Sequence, residues 1–166
     1  DLAPAGIIVP LVNTVAEAQA IVDAAKFAPL GHRSYGARRL GDLHGRDYVW
    51  TANRDQLLIV QIEQEEGLAN AEAIASVDGV DALFFGPDDM RVSLGLPMDT
   101  PIMAEEISRR GRRIATAARN PGKFAMVPCA GGPEPLRWAL SAGFQACVLA
   151  SDVGLVKAGT LAALRL

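Results

Sequence analysis

Apolar residues fall in five short continuous runs, and between them the apolar spacing changes to that of a helix. The runs are residues 6–10, 57–62, 82–85, 124–127 and 146–150. None alternates cleanly between apolar and polar positions. A strand reads this way when both faces of its sheet are covered, as in a parallel sheet flanked by crossover helices. The intervening segments carry helix start and stop signals. Thr14 and Glu17 form a capping-box pair and predict a helix to about residue 26. Leu68, Ala71, Ile74 and Ala75 recur at helical spacing and predict a helix over 65–76. Thr100 and Pro101 open a longer one toward Arg119, stopped by Asn120, Pro121 and Gly122. Pro133 starts another, closed by Gly143, and a last helix covers 153–164. The pattern is five strand–helix units in succession, read as one domain over residues 1–166.

The stretch 27–54 breaks the rhythm. It holds Gly31, Gly36, Gly41 and Gly45, then a short helical piece over 48–53. A long connection in an otherwise terse α/β chain predicts a functional loop or lid. Successive βα units admit an open doubly wound sheet or part of a (β/α)8 barrel, and in both the chemistry gathers at the carboxyl ends of the strands.

Polar and acidic residues cluster at those ends. Glu63 follows the second strand directly and Asp89 lies just past the third. Consecutive strands tend to be neighbours, so the two carboxylates are expected side by side. They then need a compensating cation or proton. Mg²⁺ or Mn²⁺ suits such all-oxygen ligands. The plainer readings stay open: Glu63 as a helix-start acid favoured by the dipole, and Asp88 or Asp89 as an N-cap. The turn Gly86-Pro87-Asp88-Asp89 leaves backbone amides free to hold a carboxylate or phosphate. No Gly-x-Gly-x-x-Gly follows the first strand, which argues against dinucleotide binding. Ser151 and Asp152 have no His partner at a convincing position, and His32 and His44 both fall in the Gly-rich loop. Trp50 and Trp138 sit on helical faces and read as core or interface residues.

Composition narrows the class further. Half of the 166 residues are hydrophobic and 21% are charged, enough for a real core. A net charge of −3 argues against a nucleic-acid partner. The basic run Arg109, Arg110, Arg112 and Arg113 reads as a solvated helix face, with Glu105 and Glu106 placed to pair four residues on. No apolar stretch approaches the roughly 18 residues of a membrane span. Cys129 and Cys147 read as two reduced, buried thiols, and the cytoplasm is the expected compartment. The chain starts at Asp1 and its first Met is Met90, so it is expected to be processed or part of something longer.

Taken together, several segments resemble the HpcH/HpaI aldolase family. They are Gly6 to Thr14 with Glu17-Ala18, Phe27 to Arg33, Ala52-Asn53, Val60 to Glu63, Val77 to Asp81, Phe85 to Asp89 and Ser151 to Leu155. The members are class II, metal-dependent pyruvate aldolases acting on 2-keto-3-deoxy sugar acids and 4-hydroxy-2-oxo acids. The resemblance implies an α/β fold of (β/α)8 TIM-barrel type, of which this chain holds the last five βα units. It implies Glu63 and Asp89 as ligands of a divalent metal cation, Mg²⁺ or Mn²⁺ with Co²⁺ as an alternative. Gln61 would sit beside the bound oxo acid, with Gly86, Pro87, Asp88 and Asp89 around the pyruvate carboxylate. Arg33, Ser34 and Tyr35 would line the aldehyde side. Ser34, Tyr35 and Asp88 depart from the family's usual Gly, smaller apolar residue and Ala, and Asp88 would add negative charge beside the metal. The implied reaction is cleavage to pyruvate and an aldehyde through a metal-stabilised pyruvate enolate. The family's catalytic His and pyruvate-binding Arg would lie upstream of Gly6, so no catalytic residue is assigned within this chain. No Lys stands at a strand end for Schiff-base chemistry. Partners implied are pyruvate or another 2-oxo acid, an aldehyde, and further copies of the chain in a trimer or hexamer. Two other readings stay open: a catalytically degenerate or partner-dependent barrel subunit, and an acyl-CoA lyase of the citrate-lyase β type.

Overall fold

The computed structural model describes residues 4–36 and 38–164; the outermost residues of the expected 1–166 domain therefore lie outside it. Five strands, β1 Gly6–Val9, β2 Leu57–Ile62, β3 Ala82–Phe85, β4 Phe124–Pro128 and β5 Ala146–Val148, form one sheet in sequence order. All four pairings are parallel, with Ile8 opposite Ile59, Gln61 opposite Phe84 and Phe84 opposite Met126. Helices α1 Val15–Ala25, α4 Glu65–Ala75, α5 Pro87–Leu94, α6 Glu105–Arg119, α7 Pro133–Ala142 and α8 Asp152–Ala163 follow the strands. The result is a curled half-barrel of α/β type, in agreement with the expected partial TIM barrel.

Alternation along the strands decides where the core sits. Leu58, Val60, Ile62, Leu83, Phe85, Ala125 and Val127 point to the helix layer and are buried with Ile74, Ile107, Ile114 and Trp138. The opposite face lines the concave side of the curl. There Ile8, Leu57 and Phe124 are 43%, 45% and 59% exposed. Exposure on that face is uneven: Ile59 and Ala82, in register with Ile8, are buried at 8% and 6%.

Local chemistry explains most boundaries. Thr14 Oγ1 accepts the Glu17 N–H while the Glu17 carboxylate accepts the Asn13 and Thr14 amides, so the capping box forms as read. Gly95 and Gly143 end α5 and α7 in the left-handed region that glycine enters most easily. Ser151 caps α8 by accepting the Gly154 amide, which gives that serine a structural role.

Three features differ from expectation. The long connection contains two helices, α2 Arg38–His44 and α3 Val49–Asp55, joined through a 3-10 turn at Arg46–Tyr48. Phe27, Leu40, Tyr48 and Ala52 give it a small core of its own. Helix α6 starts at Glu105, because 100–104 is taken up by turns closed by Thr100 N–H to Pro97 O and Ala104 N–H to Pro101 O. On α6 the expected pairs with Glu105 and Glu106 do not form; Arg110 reaches across to Glu65 on α4. Trp138 is core and donates to Ser108 Oγ at 2.7 Å, whereas Trp50 is 81% exposed. Both cysteines are free; Cys129 is buried as expected whereas Cys147 is only half-buried, and burial pushes the Cys129 thiol up to about 12. No helix among the described residues is long and apolar enough to cross a membrane.

Candidate active site

Parallel pairing of β2 with β3 brings their carboxyl ends together. The Gly86 N–H donates to Ile62 O at 3.1 Å, which fixes the exit of β3 against that of β2. Residues two apart on a strand share a face, so Gln61 and Glu63 both turn to the concave side. Gly86 is the N-cap of α5 and Pro87 its first residue, so neither Asp88 nor Asp89 caps the helix. Both sit in its first turn, and the Asp89 carboxylate lies near enough to Glu63 to push the Glu63 carboxyl upward.

Glu63 is 1% exposed. Its Oε1 accepts the Leu11 N–H at 2.8 Å, and its Oε2 accepts from Gln61 Nε2. Burial pushes its carboxyl above the ordinary carboxylate range. The Leu11 and Gln61 hydrogen bonds pull it down, the neighbouring Asp89 carboxylate pushes it up again, and the net shift is upward. Among the described residues neither Glu63 nor Asp89 forms an ion pair with Lys, Arg or His. A buried acid beside a second acid, with no cationic side chain to answer them, fits a hard divalent cation held by oxygen atoms. The described residues contain no cluster of three or more His, Cys, Asp or Glu side chains of metal-binding kind. Among the described residues, Glu63 and Asp89 are the two carboxylates that could hold such a cation, and further oxygen ligands would complete its shell. Mg²⁺ characteristically keeps that kind of open coordination.

Gly86 is required by space. A Cβ built there would run into Glu63 Oε2, and would stand 2.6 Å from Gln61 Nε2 and 2.8 Å from Glu63 Cβ. Asp88 does not leave an uncompensated charge at the site. Its carboxylate pairs with Arg91 one turn along α5, and the Arg91 guanidinium, itself buried, also donates from Nε to Thr100 O at 2.8 Å. The amides of Asp88 and Asp89 lie in the first turn, where no intrahelical acceptor exists.

Arg33, Ser34 and Tyr35 stand elsewhere. Arg33 donates to Gln56 Oε1, and its guanidinium lies 4.7 Å over the Phe27 ring. Tyr35 packs on Tyr48 at 5.9 Å, and Ser34 Oγ accepts the Gly36 amide. Gln56 precedes β2 and Glu63 follows it. Six residues of strand span about 20 Å, so within one chain these three side chains and the carboxylates occupy opposite ends of the sheet. The reason is topological: a segment that follows a helix and precedes a strand lies at the amino ends of the strands. His32, paired with Asp23, and His44, at the end of α2, belong to that same far end. Lys26 is also there, buried, donating to Asn53 O, Gln56 O and Asp81 Oδ2. Arg91, Leu11 and Asn13 bear on the site without having been expected to. Arg91 was legible as the partner three residues beyond Asp88; nothing in the sequence singles out Leu11.

Comparison with known proteins identifies the family and the fold. The sequence profile of the HpcH/HpaI aldolase/citrate lyase family matches residues 1–158. A hydroxypyruvate/pyruvate aldolase of Rhizorhabdus wittichii is 36% identical over 159 residues, covering 95% of this chain and 62% of the relative. A 2-keto-3-deoxy-L-rhamnonate aldolase of Klebsiella pneumoniae is 35% identical over 135 residues, 77% of this chain and 50% of that protein. The chain thus spans between half and two thirds of the length of these relatives. The crystal structure of an HpcH/HpaI aldolase from Desulfitobacterium hafniense superposes with a TM-score of 0.86 at 24% identity, over 99% of this chain and 64% of the other, which shows the fold. The 166-residue chain belongs to the HpcH/HpaI aldolase/citrate lyase family.

Proposed function

We propose that the chain carries the cation-binding and oxo-acid-binding part of a carbon–carbon lyase that cleaves 4-hydroxy-2-oxo or 2-keto-3-deoxy acids to pyruvate and an aldehyde. The observation that carries this reading is the buried Glu63 carboxylate beside Asp89 at the mouth of a parallel sheet, with no Lys, Arg or His among the described residues paired to it. The aldolase names of its relatives support the reaction class.

When bound, a divalent cation supplies Lewis-acid stabilisation of the negative charge that grows on the substrate's keto oxygen. Glu63 and Asp89 would hold it. Burial of Glu63 keeps water away from one side of that carboxylate and strengthens its attraction for the cation. The first-turn amides of Asp88 and Asp89, with the α5 dipole behind them, receive the substrate carboxylate. Gln61, near the end of β2, orients the Glu63 carboxylate through its amide. Cleavage breaks the C3–C4 bond, leaves its electron pair on C3, and needs an acceptor for the C4 hydroxyl proton. His32 and His44 stand at the far end of the sheet, so neither takes that proton within one chain. Self-association suits α8, whose Val153, Leu155 and Val156 are 73%, 64% and 70% exposed.

Calorimetric titration with MnCl₂ or MgCl₂ tests the cation site. Binding is expected for the wild-type chain and is expected to vanish in Glu63→Ala. A folded wild-type chain that takes up neither ion would overturn the assignment. Pyruvate release from a 4-hydroxy-2-oxo acid, followed with a coupled dehydrogenase, tests the reaction; carbon–carbon cleavage of a 3-hydroxyacyl-CoA to a shorter acyl-CoA and a carbonyl compound, with the thioester kept intact, would instead move the chain to the citrate-lyase type.

A further inference from the structure

We infer that Leu11, held in a left-handed backbone conformation, is a positioning residue for Glu63. The inference rests on reading Glu63 as a cation ligand. Leu11 has φ 57°, and among the described residues it is the single non-glycine residue at positive φ. A branched, bulky side chain disfavours that region. Packing does not force leucine into it, since Leu11 is 49% exposed. Backbone strain of this kind persists only where the surroundings over-determine it, and it gathers at functional sites.

The surroundings here do over-determine it. After β1 the chain is tied to the end of β2 and the start of α4 residue by residue. The Leu11 N–H donates to Glu63 Oε1 at 2.8 Å, and the Val12 N–H donates to Gln61 O at 3.2 Å. Asn13 Nδ2 donates to Gln64 Oε1 at 2.9 Å, and Asn13 Oδ1 accepts the Gly67 amide at 3.2 Å. Asn70 Nδ2 donates to Asn13 O at 2.8 Å. Gly67 is part of the same device: a Cβ there would stand 2.7 Å from Val12 O and 2.9 Å from Asn13 Oδ1.

The left-handed turn after β1 aims an amide at the carboxylate that follows β2, 52 residues away. With one lone pair of Oε1 fixed by Leu11 and Oε2 held by Gln61, the plane of the Glu63 carboxylate is set before any cation arrives. Partners behind a metal ligand commonly govern affinity by 10–100-fold.

The test compares Mn²⁺ affinity by calorimetry in Leu11→Asn and Leu11→Pro. Asparagine tolerates the left-handed region and keeps the N–H, so affinity is expected within about threefold of wild type. Proline has neither the N–H nor the φ, and a loss of at least tenfold is expected. Equal Mn²⁺ affinity in a folded Leu11→Pro would overturn the inference. Should Leu11→Pro not fold, Asn13→Ala serves in its place, with the same tenfold weakening expected and unchanged affinity counting against. A readout independent of metal is amide hydrogen exchange. The Leu11 amide is expected to be protected in the wild-type chain and to exchange at least tenfold faster in Glu63→Ala, with the Val60 amide unchanged. A Leu11 amide equally protected in both would sink the contact whatever the metal result. A protected Leu11 amide in a wild-type chain that binds no Mn²⁺ would instead refute the cation reading alone.

Discussion

Replacing Gly86 by alanine inserts one methyl group between the two strand ends that build the site. Gly86 has φ −95° and ψ 90°, which any residue can adopt, so the substitution gains or loses little through the backbone. All of its cost comes from contact. The new Cβ would collide with Glu63 Oε2 and stand 2.6 Å from Gln61 Nε2 and 2.8 Å from Glu63 Cβ, where ordinary contact begins at 3.4 Å. Gln61 can swing away, but Glu63 Cβ moves only if β2 moves. Overpacking of this kind costs about 1–3 kcal/mol. Turning the Glu63 carboxylate off the Leu11 amide leaves a buried charge short of a donor, a further cost of about 1–3 kcal/mol that overlaps the first. A loss of about 2–3 kcal/mol is expected in guanidinium unfolding without metal. The linked effect discriminates better. Mn²⁺ at a hundred times its dissociation constant should stabilise the wild-type chain by about 2.7 kcal/mol. If displacement of Glu63 weakens binding about thirtyfold, the same concentration stabilises Gly86→Ala by only about 0.9 kcal/mol. Gly95→Ala is the control. It strains a left-handed C-cap with nothing within 4 Å, so it should lower stability yet keep the full Mn²⁺ increment. A Gly86→Ala chain that loses less than about 0.5 kcal/mol and keeps the full increment would refute the close-packing reasoning.

Two further outcomes follow from buried charge. Lys26→Met removes the ammonium that satisfies Asn53 O, Gln56 O and Asp81 Oδ2, and should destabilise by about 3–5 kcal/mol; thermal unfolding that shifts by no more than a degree or two would contradict it. The raised Glu63 carboxyl binds its proton more tightly folded than unfolded, so without metal its contribution to stability is fully present below its ordinary value of 4.5 and is lost as pH rises through the higher folded value. Glu63→Gln should therefore gain on the wild-type chain across that window, and wild-type Mn²⁺ affinity should fall as pH drops through it. Parallel pH–stability curves for the two chains would contradict the upward shift.

What the sequence made legible was punctuation and adjacency. Thr14 with Glu17, Pro133 with Gly143, and the five apolar runs carry their structural consequences locally, and the elements appear where those signals stand. Adjacency of Glu63 and Asp89 needed one non-local rule, that consecutive βα strands pair, and the pairing of β2 with β3 satisfies it. Helix α2 was hidden because Arg38–His44 contains Gly41 and is flanked by Gly36 and Gly45; its stability comes from Leu40 packing on Phe27 and Tyr48, a tertiary effect with no periodic signal in seven residues. Leu11 was hidden for the opposite reason. Propensity argues against a left-handed leucine, and the conformation is imposed by Gln61, Glu63, Gln64 and Gly67, all more than 45 positions away.

The placement of Arg33, Ser34 and Tyr35 shows how connectivity constrains a site before any side chain is considered. In a parallel βα sheet the segment leaving a strand emerges at the carboxyl end, and the segment leaving a helix returns to the amino end. Glu63, Gly86 and Asp89 leave strands; Phe27 to Gln56 leaves α1 and enters β2. Length and glycine content made that long connection look like a lid, but its place in the order of elements assigns it to the far rim. There Arg33 stacks on Phe27 and donates to Gln56, and Lys26 ties α1 to the entrances of β2 and β3. Any contact between Arg33 or Tyr35 and an aldehyde held at Glu63 would have to cross the length of β2 within one chain, or come from a second copy. Chemistry read from strand exits and chemistry read from helix exits are thus separable by element order alone, and a motif inherits its reach from the end of the sheet to which it is tied.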